Sequence, residues 1–142
     1  MSQPVCTTTT KHGAAYRSFA LPDRPYCVMH DPERAAAVAA AEEVGIRMCI
    51  HPDDPPRPTL GLPRVVGSNE DFAFILDTYD ADSNGITFCT GSLGAGQTND
   101  VPAMARRFAG RIHFAHLRNV AKEPDGSFME ADHLGGDVDM VS

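Results

Sequence analysis

"GITFCTGSLG" (residues 85–94) decides how the chain is read. A short apolar run, Ile86 to Phe88, reaches Cys89 and passes at once into glycines. A strand that stops at a glycine-rich turn leaves its last residue at the mouth of whatever the strand builds. A thiol in that place has four possible roles: a small buried residue, half of a disulfide, a nucleophile or a metal ligand.

The flanking sequence sets the frame. "DPERAAAVAAAEEVG" (31–45) reads as a helix, with Asp31 as cap, Pro32 at the first helical position and Gly45 as the stop. "IRMCIHP" (46–52) is a short strand halted by Pro52, and "DDPPRPTLGLP" is a proline-stiffened loop. "SNEDFAFILDTYD" (68–80) is a second helix. Ser68 and Asp71 resemble a capping box, and Phe72, Ile75, Leu76 and Tyr79 fall on one face. "GITFCTG" is the second strand and "SLGAGQTND" a glycine-rich loop. "DVPAMARRFAG" is a third helix between Asp100 and Gly110, and "RIHFAHLRNV" (111–120) a third strand. The stretch after it, "AKEPDGSFMEADHLGGDVDMVS", carries turn signals without periodicity. Residues 1–30, with "TTTT" and scattered prolines, read as an irregular or disordered tail ahead of an ordered region, 31–142.

Strands alternating with helices predict parallel βαβ units. Two architectures remain open: a flavodoxin-like open sheet, or part of a (β/α)8 barrel.

Composition narrows the function. A net charge of −7 argues against a nucleic-acid partner, which would need clustered Lys and Arg. No apolar run is long enough to span a membrane, and the first residues lack the apolar core of a secretory signal, so cytoplasm is the expected compartment. There the four cysteines, Cys6, Cys27, Cys49 and Cys89, are expected to be free thiols. Cys6, Cys27 and Cys49 are expected to be small buried hydrophobes.

His51, Cys89 and His116 sit towards the C-terminal ends of the three expected strands, about one βα unit apart. Sites in parallel α/β folds are built at that edge, and strands about 4.8 Å apart let such residues converge on one ion. One His or Cys alone is more often structural than ligating; three at equivalent ends weigh more. Strand alternation places Arg47, Cys49 and His51 on one face, and Thr87 with Cys89. In the third strand it puts Ile112, Phe114, His116 and Arg118 together and turns His113 away. Arg118 can grip a carboxylate. Asp53 and Asp54 could orient the His51 imidazole, or merely cap turns in a solvated loop. "SLGAG" could cradle an anion, but it lacks the spacing of a nucleotide loop. "TGSLG" fits a nucleophile elbow only loosely. His133, Glu130 and Asp132 receive no role.

Five stretches, "EEVGIRMCIHPDDPPRP", "GLPR", "NGITFCTGSLGAG", "NDVPAMARRFAGRIHFAHLRNV" and "GSFMEADHLGGDVDM", resemble the mannonate dehydratase family over roughly residues 33–140. The resemblance implies a (β/α)8 barrel of the xylose isomerase shape, here about three βα units. It implies dehydration of D-mannonate to 2-dehydro-3-deoxy-D-gluconate in hexuronate breakdown, dependent on Mn(II) or Fe(II). It also implies His51, Cys89 and His116 as metal ligands, with Arg118 and Asn119 as candidates for the substrate. The family's fourth ligand, an aspartate, its neighbouring catalytic histidine and a catalytic tyrosine match no word here. The expectation is therefore a fragment or truncated homologue, inactive alone. Rival readings are a non-catalytic remnant, one part of a split barrel that associates with itself or a complementing chain, and another metal-dependent sugar isomerase-like barrel.

Overall fold

The computed structural model describes residues 32–62 and 64–142. The expected tail, the Asp31 cap, Cys6 and Cys27 lie outside the described residues. The elements run α1 (Pro32–Glu43), β1 (Met48–Ile50), α2 (Asn69–Thr78), β2 (Asn84–Cys89), α3 (Thr90–Ala95), α4 (Val101–Phe108), a 3-10 turn (Ala109–Arg111), β3 (Ile112–His116), β4 (Asn119–Lys122) and β5 (Phe128–Ala131). The fold is mixed α/β with a three-stranded sheet in the order β1-β2-β3, β2 lying parallel to β3. The chain divides into two compact units, one ending at Met48 and resuming over Ala73–Asn84, the other formed by Cys49–Phe72 and Gly85–Ser142.

In the first unit α1 is alanine-rich and buries Val38 and Ala41. Gly45, at φ 71°, ends it. The Gly45 amide donates to the Glu42 carbonyl and the Ile46 amide to the Ala41 carbonyl, the paired pattern of a Schellman stop. The Ser83 hydroxyl donates to the Val38 carbonyl, and the Asn84 amide closes the end of α2 by donating to the carbonyls of Ile75 and Tyr79.

The second unit holds the sheet apart from Met48 and Asn84. β2 is buried along its whole length, as a central parallel strand must be. Phe72 and Phe108 meet edge to face at 5.7 Å, and Ile86, Phe88, Leu93 and Met104 of the same unit are buried as well. The capping box forms as expected: Asp71 accepts from the Ser68 amide and hydroxyl, and the Asp71 amide donates back to Ser68 Oγ. Asp100 caps α4 through the Ala103 amide.

Three expectations change. The "SLGAGQTND" stretch is not a loop throughout, because residues 90–95 form α3 and residues 90–94 are buried. Gly94 serves close packing: a Cβ there would sit 2.2 Å from Val138 Cγ2. The third strand breaks after His116, and β4 turns back through Gly126 to pair antiparallel with β5. The third strand also carries a bulge. Ile86 pairs with Ile112 but Thr87 with Phe114, so His113 is the extra residue. Ile112 therefore shares a side with Ile86, not with His116. His113 lies over Gly85, where a Cβ would come within 2.1 Å of its ring.

Candidate metal centre

The ends of β2 and β3 are in register at Cys89 and His116, whose Sγ and Nδ1 lie 3.5 Å apart. The His51 ring, just past β1, stands 5.9 Å from the His116 ring, centroid to centroid. One donor atom from each of the three residues falls within 4.8 Å of the others. Cys89 is fully buried while both imidazoles are exposed, so the trio is closed behind the sulfur and open in front. The expected polar face also extends down the sheet: Thr87 Oγ1 donates to Cys49 Sγ at 3.1 Å.

Each donor is oriented by its neighbours. His51 Nδ1 lies 2.6 Å from the Pro52 carbonyl. A carbonyl only accepts, so Nδ1 carries the proton and Nε2 keeps its lone pair for a metal. The orienting acceptor is thus the main chain and not Asp53 or Asp54. Asp53 is spent on the amides of Val65 and Val66, which pins the proline-rich loop. Cys89 caps α3, its sulfur accepting from the Ser92 amide at 3.5 Å and the Ser92 hydroxyl at 3.1 Å.

Arg118 lies beside this sulfur. Its Nη2 pairs closely with Asp54 Oδ2 and also donates to Ser92 Oγ, while Nη1 stands 3.6 Å from Glu130. Burial opposes the guanidinium's charge, but Cys89, Asp54 and Glu130 outweigh it and raise its pKa above the ordinary arginine value. The side chain lies over Gly91, where a Cβ would meet Arg118 Cγ at 2.6 Å. Arg118 thus already holds two carboxylates of its own chain.

Asn119 is buried at 1% exposure. Its Nδ2 donates to the carbonyls of His133 and Val138, and its Oδ1 accepts from the amides of Val120 and Val138. Two donors and two lone pairs are all used on the main chain, which leaves the amide no capacity for a ligand. His133 Nε2 is 2.9 Å from the Leu117 carbonyl.

Two imidazoles and a thiol suit a divalent first-row ion. Metal–nitrogen and metal–sulfur bonds of about 2.1 and 2.3 Å bridge at most about 4.4 Å, so small side-chain rotations close the trio on one ion.

The model of the D-mannonate dehydratase (UxuA) family matches residues 35–142. The chain belongs to the D-mannonate dehydratase family. It is 58% identical over 104 residues to mannonate dehydratase of Saccharophagus degradans, and 56% identical over 117 residues to that of Rhizobium meliloti. These alignments cover 73% and 80% of this chain. The crystal structure of mannonate dehydratase from Streptococcus suis superposes with a TM-score of 0.69 at 44% identity, covering 74% of this chain and 31% of that one. The chain spans 26% and 29% of the length of the two sequence relatives.

Reading the sequence missed the junction of Asp54, Ser92 and Arg118. No local pattern announces it, because its members come from a loop, a short helix and the two-residue break between β3 and β4. Glu130 was missed with β5, although "PDGS" between Glu123 and Phe128 is a hairpin signal.

Proposed function

We propose that the chain carries part of the active site of a metal-dependent hydro-lyase acting on D-mannonate, on about three βα units of a (β/α)8 barrel. His51 Nε2, Cys89 Sγ and one nitrogen of His116 hold Mn(II) or Fe(II). The reaction breaks the C2–H bond, expels the C3 hydroxyl as water and leaves an enol that becomes the 2-keto acid. When bound, the metal polarises substrate oxygens at those carbons. The chain's own residues orient the site: the Pro52 carbonyl fixes the His51 tautomer, the Ser92 amide and hydroxyl hold the sulfur, and Asn119 ties down residues 133–138. Arg118 offers its guanidinium to the substrate carboxylate in competition with Asp54. Asn119 acts from behind, as a positioning residue.

The observation that carries this reading is the convergence of three donor atoms within 4.8 Å at neighbouring strand ends, in a chain of this family. Equilibrium dialysis against Mn(II), Fe(II) and Zn(II), followed by elemental analysis, tests it. One bound ion per chain is expected, and Cys89→Ser should weaken binding by more than the about 10–100-fold that losing a supporting residue costs. Equal metal content in the wild type and Cys89→Ser overturns it.

A further inference from the structure

The Ser92 hydroxyl has two acceptors and one proton. Its oxygen lies 3.1 Å from Cys89 Sγ and 3.2 Å from Asp54 Oδ2, and it accepts from Arg118 Nη2 at 3.3 Å. Ser92 and Cys89 are both fully buried, so water cannot replace the sulfur's bond when the proton turns to Asp54. We infer that Ser92 is a positioning residue whose hydroxyl proton is divided between the Cys89 sulfur and the Asp54 carboxylate, so that the Asp54–Arg118 pair sets how strongly the sulfur donates to a bound divalent ion. This inference rests on the metal-site reading above.

The physical chain is short. A hydrogen bond to a thiolate withdraws electron density from it, and such bonds tune metal–sulfur sites. Asp54 competes for the proton that would make this bond, and Arg118 weakens Asp54 as a competitor by occupying the same oxygen, Oδ2. The sulfur thus senses a carboxylate that does not touch it. Ser92→Ala removes the bond altogether and leaves the sulfur a stronger donor. Asp54→Asn has the opposite effect, because a neutral amide oxygen is the poorer acceptor and the hydroxyl turns to the sulfur. Asp54 is partly exposed, so this second variant disturbs packing little.

The test loads the full 142-residue chain with Co(II) in the presence of a phosphine reductant and records the sulfur-to-metal charge-transfer band. Ser92→Ala should move the band to longer wavelength, as a sulfur relieved of its hydrogen bond requires. Asp54→Asn should move it to shorter wavelength, and this shift should vanish in the double variant, as a double-mutant cycle requires of a coupling that runs through Ser92. A wild-type chain with no charge-transfer band overturns the metal-site reading and this inference together. A wild-type band that Ser92→Ala leaves in place overturns the inference alone. So does an Asp54→Asn shift that follows the direction of Ser92→Ala, or one that persists when Ser92 is absent.

Discussion

Cys89 and His116 are register partners across parallel strands, and their Sγ and Nδ1 atoms lie 3.5 Å apart. Because the sheet sets this distance, the pair stands ready before any ion arrives. The two described thiols then differ sharply in access: Cys89 is buried, whereas Cys49, expected from the sequence to be buried, is exposed on the short strand β1. Brief alkylation of the native chain should label Cys49 and spare Cys89, and denaturant should abolish the difference. Peptide mass mapping after iodoacetamide reads the outcome, and equal labelling of both would contradict the burial of the sulfur.

Gly91 should not tolerate a side chain, since a Cβ there would meet Arg118 at Cγ, Cδ and Nε. Those atoms are the middle of the side chain, so Arg118 must leave its place between Asp54 and Glu130. Gly91→Ala should cost about 1–3 kcal/mol, the range for overpacking. Gly110→Ala is the control, with nothing within 4 Å of its new methyl. It should stabilise by about 0.4–1 kcal/mol by restricting the unfolded chain. Urea denaturation of both variants against the wild type gives the two signs.

Asn119→Asp changes one atom's chemistry and almost no volume. It places an oxygen opposite the carbonyls of His133 and Val138, where Nδ2 now donates. Each carbonyl left facing an acceptor costs about 1–3 kcal/mol. The loss should show as faster amide exchange in residues 133–138, measured by mass spectrometry. Unchanged exchange there would mean that Asn119 does not hold this segment.

The two edge strands of the sheet, β1 and β3, have one hydrogen-bonded neighbour each among the described residues. Phe114 and Leu117, in and just after β3, are 58% and 57% exposed. Unpaired edges beside exposed apolar side chains template association. The chain should therefore self-associate in light scattering, and Phe114→Lys should reduce it. A monodisperse 15.3 kDa species would refute the expectation.

The site was more legible in the sequence than the fold around it. Pro52 after His51 and Gly91 after Cys89 mark two strand ends locally, and the spacing to His116 puts a third donor near the same edge. Alternation failed in β3 because a bulge at His113 depends on the glycine facing it, and nothing local marks that pairing. α3 was hidden because its glycines suggest a loop. The structure uses them where Arg118 and Val138 approach, a demand made by distant parts of the chain. Asn119 looked like a site residue beside Arg118, and only the return of residues 133–138 shows where its amide is spent.

The chain by itself should not turn over D-mannonate at a useful rate. Elimination needs a base for the C2 proton and an acid for the departing hydroxyl, each contributing about 10²–10⁴-fold. The groups near the trio are engaged elsewhere. Asp54 and Glu130 pair with Arg118, and His133 is held at Nε2 by the Leu117 carbonyl. Arg118 is a permanent cation, suited to binding a carboxylate and unable to accept a proton. Both imidazoles of the trio lose their free lone pair when they ligate a metal. The purified chain, incubated with D-mannonate and Mn(II) under reducing conditions, should form 2-keto acid more than tenfold more slowly than the Saccharophagus degradans relative assayed alongside. Glu130→Gln and His133→Gln should leave that residual rate unchanged. Turnover within tenfold of the relative would show that an acid and a base are at work here, and a loss in His133→Gln would name one of them.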